Sequence, residues 1–130
     1  MKNNISVYFI ALITAVMISS CHSVSPESMI TINDTEKTLY INKGKLINIT
    51  LTSNPTTGYS WETEPYDESL MKFVRSTYSP NSDRIGSNGQ RIIEFKALNS
   101  GRIVLELFYM RVWEKNKKPI KKFKITIVIE

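Results

Sequence analysis

The sequence predicts an all-β domain, an immunoglobulin-like sandwich of about seven strands. Three observations carry that prediction. Apolar and polar residues alternate with a period near two through most of the chain after residue 28. Turn formers recur between those runs: Lys43-Gly44, Asn54-Pro55, Gly58, Pro80-Asn81, Gly86, Gly89, Asn99-Ser100-Gly101 and Pro119. No stretch of the same region has helical periodicity. The cysteine and tryptophan core signature of antibody domains is absent, so the core must be packed differently.

Each run has its own justification. Residues 29–32 and 38–41 are short strand candidates separated by the turn-like Asn33-Asp34. In 45–52, Ile47, Ile49 and Leu51 share one face, and Leu46, Asn48, Thr50 and Thr52 the other. A short strand is expected over 59–63. The run 70–78 is expected to send Met71, Phe73 and Val74 into the core. In 91–98 the inward face is Ile93, Phe95 and Ala97. The longest run, 102–113, places Ile103, Leu105, Leu107, Tyr109, Arg111 and Trp113 on one face. Burying Arg111 there would be costly, so the strand should end near it and leave Trp113 outside. The run 122–130 alternates Phe123, Ile125, Ile127 and Ile129 with polar neighbours.

The first twenty residues are not expected to belong to the fold. Met1-Lys2-Asn3-Asn4 is weakly positive, 5–18 is mostly apolar, and Ser19-Ser20-Cys21 follows. That is the shape of a secretory signal, too short for a comfortable membrane span. Ile18-Ser19-Ser20-Cys21 also resembles a bacterial lipobox. The resemblance implies cleavage before Cys21, a lipid on its sulfur, and an exported protein anchored to the envelope membrane. The alternative is an ordinary signal and a secreted protein. Residues 1–20 then form the lipoprotein signal, 21–28 a polar tether, and 29–130 one domain of ordinary size. Cys21 is the only cysteine, so no internal disulfide can form and apolar packing must hold the fold.

Enzyme chemistry finds little material. His22 is the only histidine and lies in the tether, so neither a Cys-His nor a Ser-His pair can be built on the domain. Glu62, Glu64, Asp67 and Glu68 cluster near Trp61 and Tyr66 without the pattern of a metal loop, and read as a solvated surface. No cofactor or metal is expected. The formal net charge is +5, with lysines concentrated at 115, 117, 118, 121, 122 and 124. These lysines lack an interleaved aromatic platform for nucleic acid, so no nucleic-acid partner is expected.

Three segments where strands break carry the functional reading. In Asn54-Pro55-Thr56-Thr57-Gly58-Tyr59, Pro55 fixes its own φ and pushes Asn54 towards an extended conformation. Gly58 permits a positive φ, and Asn54 can hold the bend by bonding nearby amides. The product is a stiff, uncharged loop with two threonines at its tip. A β-sandwich gathers alternate connections at one end, so this loop, Gly86-Ser87-Asn88-Gly89 and Arg111-Val112-Trp113 can form one wedge.

The first segment resembles, at every position from Asn54 to Tyr59, the signature loop of the chagasin-like inhibitors of papain-type cysteine peptidases. Tyr109-Met110-Arg111-Val112-Trp113 is similar to that family's Tyr-Met-Arg-Pro-Trp segment, with Val112 where proline is usual. Gly86-Ser87-Asn88-Gly89 resembles its glycine-rich middle loop, with Asn88 where a glycine is common. The resemblance implies a monomeric, reversible inhibitor whose three loops block a peptidase cleft. Thr56 would sit nearest the catalytic thiol, with Thr57 beside it. Trp113 would stack on an aromatic wall, and Arg111 would offer the enzyme a hydrogen bond or a cation–π contact. Without proline at 112, the third loop is expected to be less rigid. The middle loop is expected to be a mobile stretch whose ordering costs binding energy. Two rivals remain at this level: an immunoglobulin-like envelope module for binding or adhesion, and a carboxylate-dependent hydrolase using Glu62 or Asp67.

Overall fold

The computed structural model describes residues 28–130. The expected signal segment, Cys21 and the tether up to residue 27 lie outside the described residues. In chain order the strands are β1 (Ser28–Thr31), β2 (Thr38–Ile41), β3 (Leu46–Ser53), β4 (Ser60–Thr63), β5 (Met71–Pro80), β6 (Gly89–Ala97), β7 (Gly101–Met110) and β8 (Lys121–Ile129). Single 3-10 turns at Ile32–Asp34 and Pro55–Thr57 are the helical elements among the described residues. One sheet has the order β1-β3-β6-β5 and the other β2-β8-β7-β4. This is the immunoglobulin-type order, with the short β2 added beside β8 in parallel. That addition brings the count to eight, where about seven were expected.

The alternation read from the sequence becomes the core. Ile47, Ile49 and Leu51 of β3 and Phe95 and Ala97 of β6 face Leu105 and Leu107 of β7 and Phe123 and Ile127 of β8, all fully buried. Removing such side chains from water stabilises by roughly 1.5–3 kcal/mol each, and this packing holds the domain without a disulfide. Tyr66 sets its ring edge-on against Phe95, with centroids 5.8 Å apart. Trp61 also packs against the core, and its indole N–H donates to the Thr52 carbonyl at 3.0 Å.

One expectation fails in β5. Met71 is buried, but Phe73 and Val74 are exposed. The ladder with β6 runs from Phe73 opposite Phe95 to Arg75 opposite Glu94, which leaves Val74 as an extra, bulged residue. The bulge reverses the alternation that the sequence run had suggested. β5 is also an edge strand with a neighbour on one side. Phe73 keeps an edge contact with Phe95 at 6.0 Å and is covered by nothing further out. β7 ends at Met110, as the cost of burying Arg111 requires.

Candidate functional site

Pairing registers bring three connections to one end of the sandwich. Ser53, the last residue of β3, pairs with Gly89, the first of β6, and Gly89 pairs with Pro80, the last of β5. In the other sheet Ser60 pairs with Met110 and Tyr109 with Lys121. The loops 54–59, 81–88 and 111–120 therefore leave from the same edge.

The first loop is a capped 3-10 turn. Asn54 is extended (φ −136°, ψ 94°), and its Oδ1 accepts from Thr56 N at 3.2 Å and Thr56 Oγ1 at 2.6 Å. Its backbone carbonyl accepts from Thr57 N at 3.2 Å and Thr57 Oγ1 at 2.6 Å. Both threonine hydroxyls thus donate inward. The exposed tip presents methyl groups and oxygen lone pairs. Gly58 closes the turn at φ +78°, ψ 0°, a left-handed conformation that costs a side chain about 1–2 kcal/mol.

Asn54 also joins this loop to its neighbours, which local sequence does not reveal. Its backbone N–H donates to the Tyr109 hydroxyl at 2.8 Å, across to the other sheet. Its side-chain Nδ2 donates to the Gly86 carbonyl at 2.9 Å and to Asn88 Oδ1 at 3.1 Å. Asn88, the departure from the usual glycine, thereby becomes a partner of the first loop. The middle loop has further ties. Asn81 N donates to the Asn88 carbonyl at 3.0 Å, and Ser87 Oγ to the Ser82 carbonyl at 3.0 Å. Gly89 is required by close approach: a Cβ there would lie 2.4 Å from the Ser79 carbonyl. The middle stretch is therefore a tied loop, where sequence reading expected a mobile one. At its tip Ile85 stands fully exposed, a residue that sequence reading passed over. The available signal was an isoleucine within an otherwise polar turn.

The third loop is braced by aromatic and ionic contacts. Arg111 Nε donates to the Thr57 carbonyl at 3.0 Å, and its guanidinium sits 4.5 Å above the Tyr59 ring. Tyr59 in turn packs on Tyr109, centroids 5.4 Å apart. Arg111 also pairs with Glu114 at 3.3 Å, and Lys117 reaches the same carboxylate at 3.2 Å. The Lys117 bond holds the Glu114 carboxyl below its ordinary 4.5; Arg111 adds to this and partial desolvation opposes it. Sequence reading had offered the Arg111 cation to an enzyme, yet here it clamps the first loop to the third. Trp113 is 63% exposed, its ring edge lying over Gly58. Val112 is exposed beside it.

A cleft of about 250 Å³ opens beneath the first loop, bounded by Asn54, Asn88, Tyr109 and Ile120. Its lining holds no histidine, cysteine or carboxylate. Among the described residues no group of three or more acidic, histidine or cysteine side chains could hold a metal. The acidic residues near Trp61 are dispersed: Glu62 accepts from Ser60, and Asp67 bonds to Ser69.

Comparison with known proteins places the chain in a family. Residues 40–127 match the model of the chagasin family of peptidase inhibitors, I42. Amoebiasin-2 of Entamoeba histolytica is 35% identical over 103 residues, covering 78% of this chain and 84% of the relative. Chagasin of Trypanosoma cruzi is 32% identical over 81 residues, covering 58% and 74%. The crystal structure of the cysteine protease inhibitor EhICP2 from Entamoeba histolytica superposes with a TM-score of 0.73 at 32% identity, covering 79% of this chain and 95% of that one. With two thirds of its length inside one family's model and a relative this similar, the chain belongs to the chagasin family of peptidase inhibitors and is not an enzyme.

Proposed function

We propose that this chain inhibits papain-like cysteine peptidases reversibly, by laying the loops 54–59, 81–88 and 111–120 into the active-site cleft. The observation that carries this reading is the Asn54 junction, which bonds to Tyr109, Gly86 and Asn88 and so fixes the loops against one another on one edge. A pre-formed wedge binds with little ordering cost. Pro55–Thr57 is a compact turn, so it offers no extended peptide for cleavage. Specific interfaces of this kind bury on the order of 1,600 Å² and draw most of their energy from a few anchors. Thr56 and Trp113 are the anchors: one tops the tied turn, the other is a large exposed aromatic.

Titrating papain with wild type, Thr56→Ala and Trp113→Ala tests the assignment. Each substitution should weaken inhibition about tenfold or more, the range of an interface anchor. If both variants inhibit like wild type, the loops are not the contact surface. Family membership favours this reading over the adhesion-module alternative. Export and a lipid on Cys21 belong to the same proposal, supported by the apolar run 5–18 and the small residues before Cys21. Cys21→Ser should shift the protein from the membrane fraction to the soluble one. Equal membrane retention of both forms would count against lipidation.

A further inference from the structure

Charge is distributed unevenly over the three loops. The first loop, 54–59, has no charged residue, and in the middle loop Asp83 offsets Arg84. The stretch 111–121 carries Arg111, Lys115, Lys117, Lys118 and Lys121 against Glu114 alone. Arg111 and Lys117 share that one carboxylate, and Lys121 lies 5.5 Å over the Tyr109 ring. Lys115 and Lys118 are exposed and have no ion pair among the described residues. A net positive flank thus begins at the residue after Glu114 and adjoins the exposed indole of Trp113.

We infer that the peptidase this chain inhibits carries a net acidic surface beside the part of its cleft that Trp113 enters. This rests on the loop reading above and adds the electrostatic class of the partner. Exposed charges at a rim act within a screening length of about 8 Å at physiological salt, so they guide encounter more than they hold the complex. Such steering raises association rates by roughly 10- to 1,000-fold. An anionic lipid surface is the competing occupant. Membership of a peptidase-inhibitor family argues for the enzyme, and the exposed Ile85, Val112, Trp113 and Ile120 beside the lysines make the lipid surface the alternative that the vesicle arm must exclude.

The test uses residues 22–130, which contain every strand and the whole core cluster of the described region. Association and dissociation rates are measured against two papain-family peptidases, one acidic and one basic, between about 20 and 300 mM salt, a range across which screening lengths fall severalfold. The acidic enzyme should associate about tenfold more slowly at the high-salt end, and the basic enzyme should show no such loss. A Lys115→Gln, Lys118→Gln variant, which leaves the Lys117–Glu114 pair intact, should lose severalfold in low-salt association, with dissociation within about twofold of wild type. Inhibition with salt-independent association, or a variant identical to wild type, overturns the inference and leaves the loop reading standing. Failure to inhibit either enzyme removes the loop reading and this inference with it. Salt-independent association together with lysine-dependent binding to phosphatidylglycerol vesicles overturns it in favour of a membrane role.

Discussion

The first and third loops share an edge but are held by different forces. The first is closed by hydrogen bonds: Asn54 alone receives or gives bonds to Thr56, Thr57, Tyr109, Gly86 and Asn88. It carries no charge. The third adds charge to its hydrogen bonds: beside the Arg111–Thr57 bond and the turn bonds of Glu114, Lys117 and Ile120 N–H, one cation lies over an aromatic ring and two ion pairs meet at Glu114. Exposed ion pairs contribute little and are screened by salt, so this ionic share of the third loop's bracing is the part that salt weakens. The difference assigns them roles. On the proposed reading the first loop serves as a fixed finger, and the third as a salt-sensitive flap that presents the indole to a partner.

Gly58 is where the two meet, so substitution there should have the largest effect. Alanine at φ +78° is strained, and its Cβ would lie 2.5 Å from the Trp113 ring. Gly58→Ala should cost about 1–2 kcal/mol in urea denaturation and weaken inhibition more than tenfold, because the indole is displaced as well. Unchanged inhibition would mean that the two loops act independently. Val112→Pro addresses the backbone freedom of the flap directly. The Val112 N–H makes no turn or loop hydrogen bond among the described residues, so proline removes none. Restricting this backbone should strengthen binding by about 0.4–1 kcal/mol, seen as slower dissociation. Faster dissociation would show that the flap must bend in order to bind.

Glu114→Gln should have the smallest effect and a pH signature. Folding lowers this carboxyl's pKa, so its contribution is complete above the ordinary 4.5 and fades as acid protonates it below that value. Wild type should melt slightly above the variant at neutral pH, and the two curves should merge as the pH falls past the lowered pKa. Asp34 and Asp67, also lowered by their hydrogen bonds to Thr31 and Ser69, titrate in both proteins and cancel from the difference. A gap that persists unchanged in acid would remove Glu114 from the bracing of the third loop.

The strands show how much of the fold was legible. β3, β6, β7 and β8 follow the alternation read from the chain, because each has a neighbour on both sides; the exception is Glu94 of β6, buried on the outward face and paired with Arg75. β5 misled twice: Phe73 keeps its register opposite Phe95 but lies on an edge strand, and beyond it a bulge at Val74 shifts the period by one, which exchanges faces. In the site, the bend of the first loop was readable from Asn54, Pro55 and Gly58, whose effects are local. The tying of the middle loop was not, since Asn54 finds Gly86 and Asn88 more than thirty positions away. Arg111 was recognised as important yet given an external partner, because its internal partners Thr57 and Tyr59 lie far off in sequence.

Residue order was enough to specify β-structure, the identity of the inward-facing side chains and the shape of one turn, since backbone preferences and period-two burial act between near neighbours. Which loops stand together, which hydroxyl meets which amide, and that the exposed indole rests on Gly58 were decided only when two sheets packed. Those contacts join residues that pairing register and sheet order bring within reach, and neither quantity is encoded in any short stretch of the chain.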